Sequence, residues 1–345
     1  MIDAQAYVLR ESGKIPELEE IQVEDELERG QVLAKVRFTS LCGTQLEEIF
    51  TSSRNGKYMP HLFGHEASAE VIAVGADVTN ISPGERVVIH WRKSSMGLDA
   101  NPGKYRSQGT SLNAGKVVTL STHVVVPENR VTAIPPGVEM WVAPLLGCSF
   151  STGWGSVMKT GGLNPGEVTL VIGLGGVGRA SAIAVSSQKD AVLYAVESRA
   201  MDRSDLDTLG VKKKFDSLER VFHYLEAQAL PPPDLVVDTV GLVPHFELLL
   251  QELPSTSRIV LVGMSKEGAR PALDTQRLLD GLKIAGSNGG DIDPGQDFVH
   301  MWDNLEKYIG GIGTGQTVVT SFKNLFDGIN RQANQEISKA IYKLD

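Results

Sequence analysis

The sequence predicts an α/β protein made of a β-rich first region and a second region folded as a doubly wound parallel sheet. Three observations predict it: the length, a change of hydrophobic pattern near Val168, and a glycine-rich turn just after the first strand of the second region. A chain of 345 residues is too long for one ordinary core, and 41% hydrophobic residues give enough apolar material for about two. The domains are expected at 1–150 with 291–345, and at 151–290.

Up to about Val142 the chain reads as short β-rich segments broken by Gly and Pro, among them "QVLAKVRFTSL", "ASAEVIAVG", "GERVVIHW" and "THVVVPENRVTAIP". That is the pattern of a strand-rich, barrel-like domain. Residues 100–116, "ANPGKYRSQGTSLNAGK", are polar and without periodicity, and read as a surface loop. From Val168, "VTLVIGLGGVG", "AVLYAVE", "DLVVDTVG", "RIVLVG" and "KIAGSNGG" are apolar runs separated by helix-length segments. Buried parallel strands joined by crossover helices require that alternation. The prolines of "PPPDLV" form a rigid lead into one strand. Past Gly290, "NLEKYIGG" and "NLFDGINRQANQEISKAIYKLD" read as helix followed by a last short strand.

Charge and composition narrow the function. A net charge of -9 argues against a nucleic-acid partner, and the one short basic run, Lys212 to Lys214, reads as a solvated face. No apolar run is long enough to cross a bilayer and the opening residues lack the pattern of a signal peptide, so a cytoplasmic protein without membrane contact is expected. In a reducing compartment, the two cysteines point to metal binding or catalysis rather than to a disulfide.

Two constellations carry chemistry. In "VIGLGGVGRA", Gly173, Gly175 and Gly178 form G-x-G-x-x-G between a predicted strand and a predicted helix that includes Gly176 and Val177. Such glycines let the backbone approach a pyrophosphate at a helix N-terminus, where free N–H groups and the helix dipole favour an anion. The next strand ends at Glu197, about where an acid would accept hydrogen bonds from an adenosine ribose. Arg199, two residues on, could instead pair with a 2'-phosphate; NAD is expected over NADP. The second constellation is Cys42 in "TSLCGT", His65 and Glu66 in "FGHEAS", and Cys148 in "LLGCSF". Thiolate and imidazole suit a tetrahedral zinc, and three protein ligands leave the open position of a catalytic site.

In order and spacing, "CGT", "GHE", "LLGCSFSTGWG", "GLGGVG" and "IAGSNGG" resemble the zinc-containing medium-chain dehydrogenases, most closely their alcohol dehydrogenase branch, over nearly the whole chain. The resemblance implies a GroES-like catalytic domain interrupted by a Rossmann domain, with the active site in the cleft between them. It implies Cys42, His65 and Cys148 as catalytic zinc ligands, Glu66 as a carboxylate behind the metal that assists ligand exchange, and Thr44 as the hydroxyl that carries the substrate proton. Trp91 falls where an aromatic lines the substrate pocket, and His90 beside it is a candidate pocket donor. Lys339 falls where relatives place an Arg on the pyrophosphate.

Departures from the family pattern sharpen the expectation. The lobe after Trp91 lacks the four cysteines of the family's structural zinc, so one zinc per chain is expected. Gln45 stands where many relatives have an Asp that supports the ligand His, and Glu47 where liver-type relatives have a relay His. The implied activity is zinc- and NAD-dependent oxidation of a small alcohol, polyol or sugar hydroxyl, or reduction of the matching carbonyl, by a homodimer or homotetramer. A zinc-independent enone or quinone reductase, or a nucleotide-binding regulatory protein without turnover, would share the scaffold. The complete ligand set and the Thr44 hydroxyl weigh against both.

Overall fold

A computed structural model of the chain describes residues 1–11, 13–50, 58–302, 304–305 and 317–344. The helix expected over "NLEKYIGG" falls, from residue 306 on, outside them. The chain divides into two compact units. The first comprises Met1–Cys148, Asp293–Val299 and the described part of Gly315–Asp345; the second comprises Ser149–Ile292 and the described part of His300–Thr314.

In the first unit the strands are β1 (Ile2–Leu9), β2 (Glu17–Val23), β3 (Gln31–Ser40), β4 (His61–Leu62), β5 (Glu66–Val74), β6 (Arg86–His90), β7 (Tyr105–Ser107), β8 (Thr110–Leu112), β9 (His123–Pro127) and β10 (Val131–Ala133). The second unit holds β11 (Val168–Ile172), β12 (Val192–Val196), β13 (Lys213–Phe215), β14 (Leu235–Asp238), β15 (Arg258–Leu261) and β16 (Lys283–Gly286). The chain then returns to the first unit with β17 (Thr317–Ser321), a helix over Leu325–Ala333 and β18 (Lys339–Lys343).

The first unit is built from two sheets, β4-β1-β2-β7-β8 and β10-β6-β5-β3-β18-β17, with β9 also paired to β3. Period-two burial explains the first of them: in β2, Ile21 and Val23 point into the core while Glu20 and Gln22 face out. β3 takes β5 along one edge and β9 then β18 along the other, and most of its residues are buried. Val8, Val23, Val36, Val87 and Val126, all without exposure, show how small β-branched residues let these layers close on one core.

The segment 100–116 is not the loop that its polarity predicts. It forms the hairpin β7–β8, in which Ser107 pairs with Thr110 across Gln108 and Gly109, both at positive φ, and β7 extends the first sheet from β2. Tyr105 anchors it: the ring is 1% exposed, and the hydroxyl accepts from the Val125 N–H at 3.0 Å. Two residues at φ > 0 give the turn whose twist matches the strands it joins.

In the second unit six parallel strands run in the order β13-β12-β11-β14-β15-β16. All five residues of β11 are buried, as a central parallel strand covered on both faces requires. The strand order reverses at β11, so the turn after it is the topological switch point where such sheets bind ligands. The basic run is not simply solvated. Lys213 Nζ lies 3.5 Å from the centroid of the Tyr224 ring, and Lys214 Nζ donates to the carbonyl oxygens of Glu197 at 2.7 Å and Arg199 at 3.1 Å. Among the described residues no helix is long and apolar enough to cross a membrane.

Candidate metal centre and nucleotide cradle

Three turns of the first unit bring the sulfur and imidazole ligands together. Cys42 follows β3 and leads into α1 (Gly43–Phe50), its carbonyl accepting from the N–H groups of Gln45 and Leu46. His65 is the residue before β5, and Cys148 directly follows α2 (Pro144–Gly147). Gly147 is what lets that helix end so close to the sheet. A Cβ there would lie 2.7 Å from the Ile89 carbonyl oxygen and 2.8 Å from Glu66 Cβ, so any larger residue would push Cys148 away from His65.

The ligand atoms of Cys42, His65 and Cys148 all lie within 4.8 Å of one another. His65 Nε2 is buried and has no hydrogen-bond partner among the described residues. A buried polar nitrogen without a partner is costly, and here it stands beside two sulfurs. Soft sulfur, imidazole and an orphaned nitrogen fit a zinc ion. The electrostatics agree: the hydrogen bond from Cys148 and then the His65 charge hold the Cys42 thiol well below its usual range, although burial opposes them. Burial pulls the His65 pKa down, but the adjacent Cys42 thiolate outweighs it and the net direction is up.

Around the trio, Thr44 Oγ1 lies 2.8 Å from Cys42 Sγ. Because a thiolate only accepts, Thr44 donates to the sulfur and keeps oxygen lone pairs for a further donor. The Trp91 ring meets the His65 ring edge-on with centroids 6.5 Å apart. Gln45 is buried, its Oε1 3.5 Å from the Cys42 N–H, so it faces the loop of one ligand rather than His65. Glu47 is exposed on α1.

Two expected site residues are placed otherwise. His90 is not a pocket donor. Its ring is 1% exposed and both nitrogens are engaged, Nδ1 with the Arg92 carbonyl at 2.7 Å and Nε2 with Thr132 Oγ1 at 3.0 Å. Burial lowers its pKa to about 4, so the ring stays neutral in the core. Lys339 is not turned to a phosphate: the side chain is 3% exposed and its ammonium is hydrogen-bonded to Glu66 Oε1. A buried ammonium needs a counter-charge, and Glu66 supplies one by direct hydrogen bond. The other Glu66 oxygen, Oε2, is buried without a hydrogen-bond partner among the described residues.

In the second unit, β11 runs into Gly173 at φ 84°, and α3 (Ser149–Gly155) packs against α4 (Gly176–Ser186). A Cβ at Gly178 would sit 1.8 Å from the Gly173 carbonyl oxygen, so only glycine lets the helix come this close to the strand. At Gly175 an added Cβ would meet nothing within 4 Å, and no side chain caps the helix there. Open space at an uncapped helix N-terminus is what a pyrophosphate needs, and Gly173, Gly175, Gly176, Val177 and Gly178 are together the residues that could hold one. Glu197 stands beside this turn, its Oε2 accepting from the Leu174 N–H at 2.9 Å. Burial alone would raise its pKa, but the Arg199 guanidinium and the N–H groups of Arg199 and Leu174 bring it down to about 2. Arg179 was not singled out in the sequence. Its 2% exposed guanidinium lies under the turn and Nε donates to the Leu174 carbonyl at 3.1 Å. A charged residue inside the apolar "VGRASAIAV" was the available signal.

One unit thus gathers two cysteines and a histidine that could hold a metal, and the other presents a glycine-rich turn that could hold a pyrophosphate. Residues 28–136 match the family described as "Alcohol dehydrogenase GroES-like domain". "Alcohol dehydrogenase B" of Mycobacterium tuberculosis is 28% identical over 204 residues, covering 52% of this chain and 54% of that protein. The chain thus spans about half the length of the curated relatives it matches. Among solved structures, an "Alcohol dehydrogenase zinc-binding domain protein" from Burkholderia ambifaria superposes with a TM-score of 0.85 at 20% identity, covering 100% of this chain and 99% of that one. Benzyl alcohol dehydrogenase from Acinetobacter calcoaceticus gives 0.84 at 18% identity with full coverage of both, and these two likenesses show the fold. Residues 28–136 therefore carry the alcohol dehydrogenase GroES-like domain, and the chain as a whole has the fold of these two solved structures.

Proposed function

We propose that this protein is a zinc- and NAD-dependent oxidoreductase that transfers a hydride between a primary or secondary alcohol, polyol or sugar hydroxyl and NAD, or runs the reverse from the aldehyde or ketone. The observation that carries the reading is the convergence of Cys42, His65 and Cys148 within 4.8 Å, with the His65 Nε2 unpartnered. These three residues would hold one zinc per chain, and the glycine turn with Glu197 would hold NAD. When bound, zinc supplies Lewis acidity that lowers the pKa of an alcohol, and NAD supplies the hydride acceptor.

The chain's own residues do the rest. Thr44 accepts the hydrogen bond of the substrate hydroxyl at Oγ1 and, being exposed, can turn its own hydrogen from Cys42 to solvent and release it as it takes up the substrate proton. Trp91 beside His65 restricts where the carbon chain of a substrate lies. Glu66, neutralised by Lys339, keeps one oxygen behind the ligands. Two neighbouring cysteines outside any disulfide suit a reducing compartment, which favours the cytoplasm. The family's shared scaffold favours a homodimer or homotetramer.

The test is elemental analysis of protein purified without added metal, combined with the absorbance of reduced nicotinamide over a panel of alcohols, polyols and carbonyls. One zinc per chain and turnover with at least one class are expected. Turnover in a metal-free protein would indicate the zinc-independent reductase, and cofactor binding with no turnover would indicate a regulatory protein.

A further inference from the structure

The NAD reading gives Glu197 the ribose hydroxyls, yet its carboxylate has no acceptor position to offer them. A carboxylate presents about four acceptor sites, two per oxygen. Glu197 Oε1 accepts from the Arg199 backbone N–H and from Arg199 Nε, both at 3.0 Å. Oε2 accepts from the Leu174 N–H at 2.9 Å and from Arg199 Nη2 at 2.8 Å. The two backbone donors shape the turn. The other two are the fork of one guanidinium, laid over the carboxylate in the bidentate geometry that arginine favours.

The fork is the part that can leave. The Arg199 side chain is 28% exposed against 7% for Glu197, so turning it out to solvent uncovers the carboxylate without opening the core. Its backbone need not follow. Lys214 Nζ donates to the carbonyls of both Glu197 and Arg199 and holds the intervening peptides wherever the guanidinium points. A guanidinium turned off Glu197 would stand where a 2'-phosphate would lie, while Lys214, its remaining donor paired with Asp216 Oδ1 at 2.8 Å, stays committed to the backbone.

We propose that Arg199 is the specificity-determining residue of the nucleotide site. It caps Glu197, so NAD binds only by displacing the fork, and NADP binds by drawing the displaced fork to its 2'-phosphate. The unmodified protein therefore discriminates weakly between the two cofactors, despite an acid at the end of β12 that would otherwise reject phosphate. The inference rests on the reading of the glycine turn as a dinucleotide cradle.

The experiment titrates the full chain and its Arg199→Ala and Arg199→Lys variants with NADH and NADPH, following nicotinamide fluorescence. In Arg199→Ala, NADH affinity should rise and NADPH affinity fall by about tenfold each, each change equivalent to one hydrogen-bonded charge contact. Arg199→Lys keeps the charge without the fork, so it should gain NADH affinity and keep most of its NADPH affinity. An unchanged ratio of the two affinities in Arg199→Ala, or weaker NADH binding in both variants, would overturn the proposal and make Arg199 a mere support of the turn. Should Arg199→Ala fail to fold, Arg199→Lys decides by the same ratio. If the unmodified protein binds neither nucleotide, the cradle reading itself fails, an outcome visible before any variant is made.

Discussion

At the scale of single residues, Cys148 separates the chemical reading from a packing one. It is buried, so as a plain core residue its replacement by the nearly isosteric serine would cost modest stability and leave activity intact. As a ligand it cannot be replaced this way, because a hydroxyl is a poor donor to a borderline-soft ion. Cys148→Ser should therefore lose most of its zinc and at least a hundredfold in turnover, more than the loss usual for a residue behind the ligands. Measured on one folded preparation, zinc content, turnover and NADH affinity should show the first two lost and the third kept. Full zinc with near-normal turnover would return Cys148 to the core. That Cys42, His65 and Cys148 form one candidate metal cluster was legible because their types and order carry the chemistry, but their neighbours were not. Glu66 and Lys339 are 273 positions apart, and nothing local marks one as the counter-charge of the other. Glu197 and Arg199 are two apart, yet they read as rivals for the cofactor until the structure showed the guanidinium bound to the carboxylate.

At the scale of elements, the hairpin β7–β8 gives the lobe an order of its own, which is what the proposal of one zinc per chain requires. Its strands are three residues each and mostly polar, so hydrophobic pattern alone gave no strand. The available signal was alternation, with Tyr105, Ser107 and Leu112 buried and Arg106, Thr110 and Ser111 exposed about the Gln108–Gly109 turn. The central runs of the parallel sheet, β11, β12 and β14, were legible for the opposite reason, since strands buried on both faces must be apolar throughout. Tyr105 anchors the hairpin to β9. Its hydroxyl takes the Val125 N–H, so Tyr105→Phe strands a buried donor and should cost about 1–3 kcal/mol. Calorimetry should show a melting point lower by several degrees, with about one zinc per chain before and after. Two zincs per chain in the unmodified protein would sink this account of the lobe.

At the scale of the whole molecule, the metal site and the nucleotide cradle belong to different compact units, each with its own core, and that predicts how the protein answers to a chelator. Small metal domains unfold without zinc because the ligand bonds replace a core they lack. Here the first unit buries a continuous cluster that runs from Ala4 to Leu344, which holds the strands beside Cys42 and His65, and the helix before Cys148 packs on β5 and β6 of the same sheet. The second unit closes around β11 and β14 with a cluster of its own, from Val168 to Leu282, and no metal ligand lies in it. Removing zinc should therefore cost catalysis without costing either fold. Dialysis against a chelator is expected to abolish turnover, lower the melting point by only a few degrees, and leave NADH affinity within about twofold, since about 0.4 kcal/mol is all that twofold represents. Returning one equivalent of zinc should restore turnover. Loss of helical and sheet signal on chelation would instead make the Cys42, His65 and Cys148 site structural, and the reaction proposed for it would fall.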